Sequence, residues 1–141
     1  MSNKKSGGSE DTYAHIFAYR VSKKKHNDFL RVRNSLVKIY LRHGTLGVNT
    51  YLLGKTNVFE GFQGFDKALE TTPDEEVWIE VDTYPSASEF SKIVGEIGED
   101  KEAGPIWGEL AQITEKRPVL MGGVLVAERQ VMLPPAPTLQ A

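Results

Sequence analysis

A chain of 141 residues, 40% hydrophobic and with a net charge of −2, is long enough for one globular domain and has no electrostatic footprint for nucleic acid. It contains no cysteine, which removes disulfides, thiolate metal sites and cysteine nucleophiles. No apolar run is long enough to span a bilayer and the start does not read as a signal peptide, so a cytoplasmic protein is expected.

Residues 1–11 (MSNKKSGGSED) are small, polar and charged, and are expected to form a disordered extension. The domain is expected over residues 12–130, followed by a proline-rich tail over 131–141. Residues 12–21 alternate as a strand does. Ala14, Ile16 and Ala18 make a small aliphatic face, expected to lie under helices. Tyr13, His15, Phe17 and Tyr19 make an aromatic one. Ser22 is a candidate cap for the next helix, and Lys23, Lys24 and Lys25 oppose its dipole, so its first turn should fray.

The longest predicted helix covers residues 24–44. At about 100° per residue, Phe29, Val32, Leu36, Ile39 and Tyr40 share one side. Leu30, Val37 and Leu41 widen the apolar arc to roughly 200°, enough for a sheet and a second surface. Gly44 is its natural stop. Residues 45–54 form a second strand, with Leu46, Val48, Thr50 and Leu52 on one face and Gly47, Asn49, Tyr51 and Leu53 on the other. The GFQGF run at 61–65 places phenylalanines between glycines, as either a lid or a structural plug. A short helix is expected near 66–69 and a turn at 72–75.

Residues 76–84 give the clearest strand. Val77, Ile79 and Val81 face one way, expected to be the helix side, and Trp78, Glu80 and Asp82 the other. Ser86 or Ser88 should cap a helix running to about Gly98, and Pro105 suits the first turn of a further helix over 105–116. The last strand is expected over 119–128, where Gly122 and Gly123 suggest a bulge or a close backbone approach.

This order predicts an α+β fold, the ferredoxin-like β-α-β-β-α-β, with an antiparallel four-stranded sheet and helices on one face. The bare face would show Tyr13, Phe17, Tyr19, Tyr51 and Trp78. A patch of that kind calls for cover, and a second sheet supplies it, so a homodimer is expected.

The runs RHGTLG, TPDEEVWIEVDTYPSASEF and RPVLMGGVLVAE resemble the YbaA-like uncharacterised bacterial proteins of the dimeric α/β-barrel group, over roughly residues 13–128. The resemblance implies a ferredoxin-like homodimer and no established reaction. The GFQGF loop, the polar N-terminal extension and the tail depart from the pattern.

The sequence has no phosphate-binding P-loop, no dinucleotide glycine fingerprint, no serine-nucleophile elbow and no zinc-protease helix motif, and no cofactor is expected. The candidate ligand-binding residues are His15, Tyr19, Arg33, Asn49, Tyr51, Trp78, Glu80 and Asp82. They suit an aromatic-walled pocket with few polar groups, in which partial burial would make Glu80 a general acid or base. Alternating aromatics are also ordinary sheet packing, and the same residues read as a dimer interface with acids at its rim. His15, Glu80 and Asp82 have the chemistry of a metal set but no ligand spacing, so no metal is expected. Arg33 either grips an anion or pairs with an acidic side chain. His43 reads as a helix-dipole partner or a proton shuttle, and His26 as solvated.

The expected function is that of a homodimeric barrel binding a small apolar molecule in a cavity between sheet and helices, with neither nucleic acid nor membrane as partner. The alternative is a cofactor-independent monooxygenase acting on an aromatic substrate. Relatives with this barrel use Asn, Trp and Tyr or His, types matched here by Asn49, Trp78, Tyr51 and His15. A haem-binding barrel would need an axial histidine, which the helix over 86–98 lacks.

Overall fold

The computed structural model describes residues 12–117 and 120–125. The expectations for residues 1–11 and 131–141, and for the ends of the last strand, lie outside the described residues.

Strand β1 (Tyr13–Ser22) is followed by a single 3-10 turn at Lys23–Lys25 and helix α1 (His26–Arg42). The three lysines thus stand in a tighter turn ahead of the α-helix, as their opposition to the dipole suggests. The Ser22 side chain makes no cap hydrogen bond, contrary to the sequence reading. α1 ends in a Schellman motif: Thr45 N–H donates to Tyr40 O and Gly44 N–H to Leu41 O, with Gly44 at φ +112°. Strand β2 (Gly47–Leu52) and the short helix α2 (Phe65–Ala68) follow. Next come strand β3 (Glu75–Tyr84), helix α3 (Ala87–Gly98), helix α4 (Ala103–Ile113) and strand β4 (Leu120–Leu125). Ser86 caps α3 by accepting from Glu89 N–H at 3.1 Å.

The sheet order is β2-β3-β1-β4, and every neighbouring pair is antiparallel. Gly123 pairs with His15, and a side chain there would run into the Tyr13 ring, so the glycine permits a close approach without a bulge.

The strands alternate as read, but the faces are reversed. Trp78 packs on Phe29 of α1, with ring centroids 5.0 Å apart. Tyr19 also packs on Phe29, at 5.7 Å, and Tyr13 packs on Phe90 of α3, at 4.7 Å. Register then places Phe17, Glu80, Asp82 and Tyr84 on the same helix-covered side. Ala14, Ile16, Ala18, Ile79 and Val81 lie on the uncovered face. The physical reason is volume: helices stand off a sheet by about 10 Å, and large aromatics fill that gap where alanines cannot.

The core forms two clusters. Tyr19, Val21, Phe29, Val32, Leu36, Trp78 and Ile113 make one. Ile39, Tyr84, Ile93, Ile97 and Ala103 make the other, and Tyr40 and Ile106 pack against both. Along the helix side of β3, Trp78 belongs to the first cluster and Tyr84 to the second, with Glu80 and Asp82 between them.

Candidate functional site

The seam between the two clusters is not filled. Two adjoining hollows share Phe17, Tyr40 and Trp107 as walls. One, of about 130 Å³, also meets His15, Asp82 and Tyr84. The other, of about 230 Å³, meets Tyr19, Leu36, Glu80 and Met121. β1 and β3 supply the floor, α1 brings Tyr40, and α4 brings Trp107, whose indole N–H donates to the Tyr40 hydroxyl at 3.2 Å.

Asp82 is 0% exposed and Glu80 is 8% exposed. Among the described residues, no group other than Glu80 offers either Asp82 carboxyl oxygen a hydrogen bond. Burial pushes the pKa values of both acids up, and the nearness of Glu80 raises Asp82 further. The Arg33 guanidinium opposes this for both. Arg33 itself does not form the expected ion pair. It donates to the Thr50 hydroxyl and, at 3.3 Å, to the Val48 carbonyl. Burial lowers the pKa of His15. Burial raises the phenol pKa values of Tyr19 and Tyr84, and it pushes that of Tyr40 up to about 12. The hollow is therefore aromatic, neutral in its rings and phenols, and acidic at its base.

The candidate residues divide accordingly. His15, Tyr19, Glu80 and Asp82 line the hollows. Trp78 lies on the same side but is spent in the core, its indole N–H donating to Glu76 Oε1 at 3.0 Å. Asn49 and Tyr51 pair with Val81 and Ile79 on the uncovered face. The set Asn49, Trp78, Tyr51 and His15 thus does not assemble. Tyr40, Trp107, Phe17 and Tyr84 were absent from the sequence-derived set. Trp107 and Tyr40 carried the available signal, a large ring with a polar handle on the apolar side of a helix.

Other candidates are already partnered. His26 is not simply solvated: its Nδ1 stands 2.6 Å from Glu76 Oε1. His43 Nε2 stands 2.7 Å from Asp100, which also accepts from Arg42 at 2.7 Å, so the helix end is fixed by side-chain pairing as well as by the dipole. A larger open groove near Lys23, Lys55 and Glu75 has its acids engaged, Glu75 with Arg117 and Glu76 with His26. Among the described residues no His, Asp and Glu group could hold a metal ion, and no helix is long and apolar enough to cross a membrane.

The family model described as protein of unknown function, DUF1428, matches residues 12–109. The chain belongs to the DUF1428 family. No curated protein matches this DUF1428 chain. Among solved structures it is similar to a dimeric ferredoxin-like protein from an uncultured marine organism, at 12% identity over 90% of this chain and 97% of that one, with a TM-score of 0.58. It is also similar to a variant of SnoaB, a cofactor-independent oxygenase from Streptomyces nogalater, at 12% identity over 86% and 97%, with a TM-score of 0.54. A hydroxynitrile lyase from Passiflora edulis matches at 15% identity over 86% and 98%, with a TM-score of 0.52. At such identities the likeness is one of fold.

Proposed function

We propose that this DUF1428 protein is a homodimer that binds a small molecule with an apolar body in the hollow between its sheet and its helices. The observation that carries the binding reading is buried Asp82, a lining residue of an aromatic-walled space, whose carboxyl has no partner beyond Glu80 among the described residues. The observation that carries the dimer is the uncovered sheet face. It is aliphatic at its centre, with Ile16, Leu120 and Val124 all exposed, and two sheets pack face to face about 10 Å apart. Two such sheets would form the dimeric α/β barrel, and the neighbouring structures described as dimeric support that arrangement. The finer kinship with YbaA-like proteins rests on the three sequence runs alone.

The oxygenase reading draws support from the fold shared with SnoaB and from no assembled residue set. Two measurements test the proposal. Sedimentation velocity should give twice the chain mass at micromolar concentration. A panel of small aromatic compounds should perturb the Trp107 indole N–H in a nitrogen-15 spectrum. A monomer overturns the dimer, and a Trp107 signal indifferent to every compound overturns the binding reading.

A further inference from the structure

Two carboxyl groups at the base of an aromatic hollow are a costly way to fill a core. Apolar side chains of similar volume would serve packing as well or better. The charges around the pair show what is missing. Arg33 is the cation whose field reaches both acids, and its guanidinium is already spent on Thr50 and the Val48 carbonyl. It balances one carboxylate at most. From β1, His15 is kept neutral by burial, and the phenols of Tyr19, Tyr40 and Tyr84 stay protonated at neutral pH. α4 contributes Trp107, which does not titrate. With both acids ionised, the hollow is short of one positive charge. Its walls include the rings of Phe17, Tyr40, Tyr84 and Trp107, and aromatic rings attract cations at their faces through their quadrupoles.

We propose that the hollow takes a small organic monocation, an amine carried on an aromatic or aliphatic body, whose ammonium group bonds Asp82 and Glu80 while its body lies against Tyr40 and Trp107. This rests on the reading of the hollow as a ligand site, and it names the chemical class of the ligand. An alcohol of the same shape offers a hydrogen bond without charge, and a carboxylate would bring a third acid into the space. Burial favours the protonated form of both acids, whereas a bound ammonium favours the ionised form. Binding therefore releases a proton, and it tightens as pH rises until the amine itself titrates.

The test uses the full chain and four probes of one shape: benzylamine, benzyl alcohol, toluene and benzoate. The chain has two tryptophans, so its nitrogen-15 spectrum holds two indole N–H signals, and Trp107→Phe assigns them. Benzylamine should shift the Trp107 signal with a Kd at least about tenfold below that of benzyl alcohol, and benzoate should leave it unchanged. Benzylamine affinity should increase from mildly acidic to mildly basic pH. The double variant Glu80→Gln, Asp82→Asn should bind benzylamine no better than benzyl alcohol. Equal affinities of benzylamine, benzyl alcohol and toluene for the wild-type chain would overturn the cation while leaving the hollow as a ligand site. If none of the four moved the Trp107 signal, the hollow would fall as a site and the cation with it. The wild-type comparison stands whether or not the double variant folds.

Discussion

On one side of the sheet, β3 presents Trp78, Glu80, Asp82 and Tyr84 to the helices; on the other it presents Ile79, Val81 and Thr83. The helix side joins large rings to buried acids, which makes it unsuited to simple packing and suited to recognition. The uncovered side is mostly aliphatic at its centre, with Ile16, Ile79 and Val81 together there, which suits it to meeting another apolar surface. The strand period of two lets one backbone serve both ends at no cost to either.

The comparison breaks most severely at Trp78. Trp78→Ala should cost roughly 3–5 kcal/mol in urea unfolding whatever the oligomeric state, because the ring is buried against Phe29. Val81→Lys acts on the other face. Val81 lies at its centre, opposite both Ile16 and Asn49, and burying an unpaired ammonium in a sheet-to-sheet contact costs several kcal/mol. Sedimentation should show a monomer that keeps its helical circular dichroism; a dimer of unchanged strength would move the interface elsewhere.

Asp82→Asn sharpens the helix side through pH. Burial holds the Asp82 pKa above its unfolded value, so between the two values the folded chain binds the extra proton. The stability this contributes is complete below about pH 4 and is lost as pH rises through the folded pKa. The asparagine variant lacks that loss. Its melting temperature should exceed that of the wild type by several degrees at mildly basic pH and converge with it in acid. The smallest effect is expected at Tyr51, at the rim of the uncovered face and 55% exposed. Tyr51→Ser in the Val81→Lys background should change unfolding by no more than about 0.5 kcal/mol.

Much of this was legible in the sequence, and what was not has a physical cause. The core positions of α1, the Gly44 stop, the Ser86 cap and the Gly123 approach follow from local rules that tertiary packing did not override. Which face meets the helices does not follow from alternation, since alternation is symmetric. The general rule sends acids toward water and aliphatics toward helices, and buried Glu80 and Asp82 depart from it. Side-chain volume was the better guide: Phe17 and Tyr19 outweigh Ala14, Ile16 and Ala18, and register ties Trp78 to Tyr19. The site was half legible for the same reason. Glu80, Asp82, His15 and Tyr19 share a face by period alone, whereas Tyr40 and Trp107 meet it only through the packing of α1 against α4.

The central strand β1 has a consequence for how the molecule comes into being. Its neighbours are β3 and β4, and Tyr13, at the start of the described chain, pairs with Leu125, at its end. Contacts so distant along the chain close slowly, because a long loop must be ordered before they form. During synthesis β1 leaves the ribosome well before either partner, and Met121, a wall of the larger hollow, follows all three other strands. The larger hollow is thus complete only once β4 has joined the sheet, and a chain released short of β4 would leave that edge of β1 unpaired.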